Sequence, residues 1–352
     1  MIFGIRGNGD LKVVKRNKLS ENTVVVIFFA LVFLFPVLDK NSYHQNVGVL
    51  IGIFSIIAIG LNLLLGNTGK ISLGHAAFFG IGAYTSAVLT RNYDLSFWLA
   101  LPPSAIFSGA IGYMIGLTSL RLRGHYLAMA TLAFGIIAET IFLEWTEVTG
   151  GTGGFGNIPS PTIGSFQFKN DLRYFYLVWI FVLFISIISR NLVNSRIGRA
   201  LHTIHMNEEA AAVIGINPTK YKLKIFGLSA AYGGLAGSLF ANFSHLISAH
   251  SFSIMFSVTL LSMIVVGGLG SVWGSITGAI LLTLLEEFIR FFADLSFMTE
   301  GVREVLTNHN YHLVAYGILM LICIVFMPNG VFGAFQRVYR YLGGDSLDQD
   351  HE

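Results

Sequence analysis

From Val47 to Gly66 the chain reads VGVLIGIFSIIAIGLNLLLG, twenty residues without one charged side chain. A helix of that length is about 30 Å long, the thickness of a bilayer's hydrocarbon core. The run is not isolated. Apolar stretches occur at about 23–38, 47–65, 71–90, 97–117, 125–143, 173–189, 223–245, 253–268, 271–292 and 312–327. Charged residues make up only 12% of the 352 positions and hydrophobic ones 54%, and the mean hydropathy is +0.68. A soluble domain carries roughly a quarter charged residues, and a single core cannot hide this much apolar surface. The expected fold class is therefore all-α, a polytopic transmembrane helical bundle of about ten spans. The stretch LGHAAFFGIGAY is weakly apolar and Gly-rich, which suits a broken or re-entrant segment covered by protein.

Basic residues set the orientation. Lys12, Lys15, Arg16 and Lys18 precede the first stretch and place the N-terminus in the cytoplasm. Ten spans then bring Lys70, Arg121 with Arg123, the 190–224 loop and Arg337 with Arg340 to the same side. The expected organisation is a basic cytoplasmic tail (1–22), a transmembrane domain (23–335) and a cytoplasmic C-terminal tail (336–352). The loop at about 144–172 falls outside. The basic start followed by TVVVIFFALVFLFPVL has no clear small-residue cleavage site after it, so it reads as a retained first span. The net charge of +3 is too small to point to nucleic acid. One cysteine, Cys323, allows no disulfide framework.

Chemistry-bearing patterns are sparse. LLLGNTGKIS approaches a phosphate-binding loop but has Ile71 after Lys70 and Leu64 where the first glycine belongs. TGGTGGFG lacks a lysine. No cofactor-binding or nucleotide site is visible in this chain. His202 with His205 and His309 with His312 share helical spacing, which suits a polar face better than a metal site; no metal is expected. Neither H-E-x-x-H nor G-x-S-x-G occurs, so no catalytic set is expected and the chain is not read as an enzyme.

Polar groups inside apolar spans are costly in lipid and face a bundle interior. They are Asn62, Ser72, His75, Thr131, Glu139, Asn242, His245, Glu286 and Glu287. Glu286 and Glu287 can pair with Arg290. GGLAGSLFA and VGGLGSVWGSITGA carry small residues for close helix contact, and Gly267–Gly270 suits a helix break.

The most informative polar stretch is NEEAAAVIGINPTKYK. Asn207 is a natural N-cap for a helix starting at Glu208, with both carboxylates at its positive end. Gly215 stops it, and Pro218 hinders continuation. A helix of two turns is marginal in water and needs contacts within the chain or on a partner.

EAAAVIG, Glu209 to Gly215, matches the E-A-A-x-x-x-G pattern in the cytoplasmic loop of permease subunits of binding-protein-dependent ABC importers. GKISLGHAAFFGIGAYTSAVL, LRLRGHYLAMATLAFGIIAE, TGGTGGFGNIP, the loop and helix GRALHTIHMNEEAAAVIGINPTKYKLKIFGLSAAYGGLAGSLFA, VVGGLGSVWGSITGAIL and PNGVFG occur in the order found in branched-chain amino-acid permeases of the LivM type. The chain thus resembles that family over roughly 47–333. In many importer permeases the loop motif ends in Leu-Pro; here the region reads IFGLSA.

The resemblance implies a coupling helix that sits in an ATPase cleft, with Glu208, Glu209, Ala210, Ala211 and Gly215 as the coupling residues. It implies a translocation path near Asn62, Ser72, Gly74 and His75. It also implies a homologous second permease subunit, two ATPase subunits that carry ATP and Mg, and an extracytoplasmic solute-binding protein, in a bacterial inner membrane. The expected cargo is a branched-chain amino acid. Urea or short amides are the alternative within the class; a stand-alone secondary transporter or channel, with Glu139 as its coupling residue, is the alternative outside it.

Overall fold

The structure is a computed structural model that describes residues 3–4, 12–13, 18–119, 125–293, 309–327 and 330–334. Arg121, Arg123, Lys15, Arg16, Arg337, Arg340, both tails beyond these limits, and parts of the LRLRGHY and PNGVFG motifs lie outside the described residues.

Each apolar stretch carries a helix. They are α1 (Lys18–Leu38), α2 (Ser42–Thr68), α3 (His75–Arg91), α4 (Phe97–Ser119) and α5 (His125–Glu144), then, past the short α6 (Thr146–Thr149), α7 (Asp171–Asn194). After two polar-loop helices, α8 (Arg196–Met206) and α9 (Glu208–Val213), come α10 (Pro218–Ser244), α11 (Ile254–Gly267), α12 (Val272–Ala293) and α13 (His309–Phe326). Among the described residues, six of these are long and apolar enough to cross a membrane alone: α2, α4, α5, α7, α10 and α12. The protein is an all-α, multi-pass membrane protein.

α2 is the central rod. Its apolar residues face all round, which suits burial on every side, and α7, α10, α11 and α12 surround it. Asn41 caps its start by accepting from the Tyr43 amide, and Gly69 ends it in a left-handed conformation. Glycines decide how close its neighbours come. A Cβ on Gly48 would strike Phe175, and one on Gly52 would strike Val178. In the space so made, Trp179 Nε1 donates to the Gly48 carbonyl at 3.1 Å.

α10 is the second hub, packed on α3 and α4. Lipid is as apolar as a leucine side chain, so helix association here depends on close backbone approach and hydrogen bonds. Gly82 of α3 lies directly against the Gly234 backbone, and Gly112 of α4 against Ala230. Ser108 donates to the carbonyls of Phe78 and Ala230 at 3.0 and 2.8 Å, so one hydroxyl joins three helices. Other buried hydroxyls bond back one turn, as Ser55 does to Ile51 and Thr68 to Leu64.

β1 (Phe3–Gly4) and β2 (Lys12–Val13) pair antiparallel ahead of α1. At one end of the bundle, other short strands tie loops together. β3 (Phe155–Gly156) pairs antiparallel with β6 (Leu246–Ile247), and β4 (Thr162–Ile163) with β5 (Phe166–Gln167). Thus the Gly-rich loop after α5 docks on the end of α10. His245 caps α10 in a left-handed conformation, and its Nδ1 donates to the Ile158 carbonyl at 2.8 Å. Arg91, in the last turn of α3, sits over the Phe155 ring at 4.6 Å from its centre.

Candidate functional site

The opposite end of the bundle holds two helix breaks and the polar handle formed by α8 and α9. The first break, Gly69–Gly74, separates α2 from α3. Sequence reasoning read LGHAAFFGIGAY as a broken or re-entrant segment; that stretch is helical from His75 on, and the break lies at its start and just before it. A break leaves backbone donors that lipid cannot satisfy. Neighbouring helices supply the acceptors. Thr131 of α5 accepts from the Leu73 amide, and Ser257 of α11 accepts from the Ala76 amide, both at 3.0 Å. Gly74 lies against the Thr131 carbonyl, where a Cβ has no room.

His75 is fully buried at the first turn of α3. Its Nδ1 lies 2.9 Å from the Ser72 hydroxyl and its Nε2 2.7 Å from the Ser229 hydroxyl of α10. Ser229 donates its single proton to the Gly60 carbonyl of α2 at 2.6 Å. Ser229 therefore accepts from His75, which puts a hydrogen on Nε2. In the neutral ring Nδ1 then accepts from Ser72. The chain of bonds Ser72–His75–Ser229–Gly60 binds the start of α3 to α10 and α2.

The second break, Gly268–Ser271, separates α11 from α12, as the Gly267–Gly270 pattern suggested. Gly268 and Gly270 take φ values of 128° and 75°, which glycine alone adopts without strain. Asn62 holds this break. Its Nδ2 donates to the carbonyls of Gly268 (3.1 Å) and Ser271 (2.9 Å) and to the Ser275 hydroxyl (2.7 Å). Its Oδ1 accepts from the Gly270 amide at 2.8 Å. Gly66, one turn on, admits the Gly270 backbone against the helix.

The structure thus brings Ser72, Gly74 and His75 together at one break and sets Asn62 at the other. Gly60 and Asn62 are two residues apart on α2, about 200° around the helix, so α2 serves both breaks from opposite faces. All four residues are buried. The side-chain polar atoms of Asn62, Ser72 and His75 meet protein groups.

The handle is built from local rules. Ser195 caps α8 by accepting from the Ile197 amide. Asn207 caps α9 by accepting from Glu209 and Ala210, both at 3.0 Å. Gly215 then turns the chain at φ 83°. Pro218 does more than interrupt a helix: it opens α10, where its missing N–H costs nothing, with Asn217 as the cap. Ala211 is fully buried and anchors α9 on its neighbours. Glu209, Ala210 and Gly215 are exposed. Val213 and Ile214 are 87% and 67% exposed, an apolar tip beside an acidic helix start.

Glu208 behaves differently from Glu209. Its carboxylate contacts the ammonium of Lys222 on α10 and lies 3.9 Å from Lys70 in the first break. Lys222, Ser229, Ser257 and Ser275 were not singled out in the sequence, and Lys70 entered only as a basic residue that sets orientation and in a failed match to a phosphate-binding loop. A signal did exist for Lys222. It lies three, four and seven residues before Ile225, Phe226 and Ser229, all on the buried face of α10, whereas Lys220 and Lys224 fall on the exposed one. The small serines left no such trace.

The remaining polar candidates are placed as follows. Asn242 donates to Ser86 across the α3–α10 seam at 2.8 Å. Glu286 and Glu287 pair with Arg290 at 2.7 and 3.6 Å. His205 packs against Gly69. Glu139 is partly buried on α5, which also carries exposed Met129, Ile136, Ile137 and Ile141. Among the described residues, no three His, Cys, Asp or Glu side chains are grouped to hold a metal ion.

Comparison with known proteins adds the following. A family model described as "Branched-chain amino acid transport system / permease component" matches residues 44–324. The high-affinity branched-chain amino acid transport system permease protein LivM of Salmonella typhimurium is 33% identical over 339 residues, covering 90% of this chain and 75% of that protein. The LivM protein of Escherichia coli (strain K12) is 33% identical over 344 residues, covering 91% and 77%. The LivH permease of Salmonella typhimurium is 25% identical over 306 residues, covering 81% and 93%. No solved structure gives a significant match.

Proposed function

The chain belongs to the branched-chain amino acid transport permease family, and on that premise we propose that it is a membrane permease subunit of an ABC importer for branched-chain amino acids. It performs no covalent chemistry. Two separate ATPase subunits bind ATP and Mg, and an extracytoplasmic solute-binding protein delivers the amino acid. A homologous permease completes the path; the likeness to both LivM and LivH proteins supports such a pair. The chain lies in the bacterial inner membrane with ten spans, both tails and the 190–224 loop in the cytoplasm.

The observation that carries this reading is the tip of α9. Val213 and Ile214 are among the most exposed apolar side chains of the molecule, yet they stand in a polar loop, on a helix capped and anchored at Asn207 and Ala211. Water gives such a tip no reason to be apolar; a cleft in an ATPase does. ATP binding closes the ATPases and displaces α9, with Glu209, Ala210 and Gly215 at the contact. The movement reaches the two breaks, where Ser72, Gly74, His75 and Asn62 hold the segments that border the path. A partly buried carboxylate at Glu139 is costly against lipid, which supports placing that face of α5 against the second permease.

The test is uptake. Proteoliposomes holding this chain, its homologous permease and the ATPases, with the binding protein outside and ATP inside, should accumulate leucine. Accumulation of urea or acetamide with no leucine uptake would replace the cargo assignment. Leucine uptake that ignores ATP and follows a proton gradient would replace the mechanism.

A further inference from the structure

Glu208 and Glu209 are neighbours in sequence and do different things. About 100° of helical rotation separates them. Both side chains are exposed, that of Glu208 by 51%, and what separates them is the partner that Glu208 meets. Glu208 points inward to Lys222, whose whole side chain is buried: the residue is 2% exposed. A buried ammonium is costly unless a carboxylate meets it, and Glu208 is the carboxylate that does so. The same carboxylate oxygen faces Lys70, the first residue of the α2–α3 break after the Gly69 cap. One side chain of α9 therefore touches the second turn of α10 and the break that leads to His75. Nearby, Gly69 packs on His205 of α8, so the loop and the break meet at two points.

We infer that the Glu208–Lys222 pair is an internal strut: it carries the displacement of α9 into α10 and the Gly69–Gly74 break, while Glu209, Val213 and Ile214 face the ATPase. Both partners are positioning residues. The inference rests on the reading of α9 as the ATPase-docking helix. Its physical content is that the pair is anchored at a buried ammonium: the Lys222 side chain is 3% exposed, although that of Glu208 is 51% exposed, and a contact fixed at one end transmits a push that two free surface side chains would not. Without the strut, α9 moves and the break does not follow.

The test uses the assembled importer in proteoliposomes and reads three quantities: ATPase subunits co-purified, ATP hydrolysed, and leucine taken up per ATP. Glu208→Gln and Lys222→Met should both retain ATPase co-purification and lower uptake per ATP about tenfold. Lys222→Met keeps the buried stem and removes the buried charge, so its folding does not depend on the partner. The double variant should be no worse than the worse single one, because the two residues act as a unit. Unchanged uptake per ATP in both single variants would overturn the strut, as would losses that multiply in the double. Loss of ATPase co-purification in Glu208→Gln but not in Lys222→Met would put Glu208 on the docking face and overturn it as well. Val213→Asp, run alongside, tests the parent reading separately: if it leaves co-purification intact, α9 is not the docking helix.

Discussion

Asn62 and Gly270, 208 residues apart in sequence, are joined by a 2.8 Å hydrogen bond from the Gly270 amide to the Asn62 side-chain oxygen. The same carboxamide donates to the carbonyls on either side of that amide. A backbone break in a membrane protein survives only where its freed groups find partners, and here one side chain supplies most of them.

Asn62→Leu should therefore destabilise the chain by about 1–3 kcal/mol for each buried group left unpaired. Thermal unfolding in detergent measures this. A variant that melts with the wild type would mean that the Gly268–Ser271 segment holds itself.

The hydroxyl of Ser229 is a relay between the Gly60 carbonyl and His75. Ser229→Ala removes an acceptor from His75 and a donor from Gly60 at once. It should destabilise by about 2 kcal/mol or more, and leucine uptake should fall with it. Nitrogen-15 NMR of labelled His75 should show the hydrogen on Nε2 in the wild type. Hydrogen on Nδ1 would reverse the direction of the whole chain of bonds.

Gly82 and Gly234 bring the α3 and α10 backbones into contact. Gly82→Ala should push the helices apart and destabilise by about 1–3 kcal/mol. Gly317, in α13, has no other segment of the described residues within 4 Å of its Cβ position, so Gly317→Ala should be neutral or stabilise by up to about 1 kcal/mol through helix propensity. Equal melting temperatures for the two variants would refute the assigned seam.

Much of this architecture was legible in the sequence because lipid imposes a simple rule: apolar stretches of the right length become helices. The cap at Asn207, the stop at Gly215 and the break near Gly267–Gly270 followed from residue chemistry alone. What was not legible was which polar residue meets which. His75 stood out by its charge-capable ring, but its partners Ser72 and Ser229 are separated by 157 residues, and a serine in an apolar run has many ordinary uses. Asn62 was set toward the bundle interior by its cost in lipid and near the path only by the family resemblance; the structure accounts for that cost by the backbone it holds. Glu208 and Glu209 were read together because adjacent residues look alike in a motif, and only helix phase against Lys222 separates them.

Six residues make α9 too short to persist without its cap. Asn207→Ala should cost about 1 kcal/mol of local helix stability and weaken the grip on the ATPase, seen as fewer ATPase subunits retained per permease on a size-exclusion column. Asn207→Asp preserves the acceptor and should restore them. Equal retention in all three proteins would separate the cap from docking.

The most direct measurement is a pull-down of this chain, tagged, from its native membranes in mild detergent, with mass spectrometry of the proteins that follow it. The account predicts a second, homologous permease together with ATPase subunits, and predicts that Val213→Asp keeps the permease and loses the ATPases. A chain recovered with neither, under conditions that preserve other membrane complexes, would contradict it.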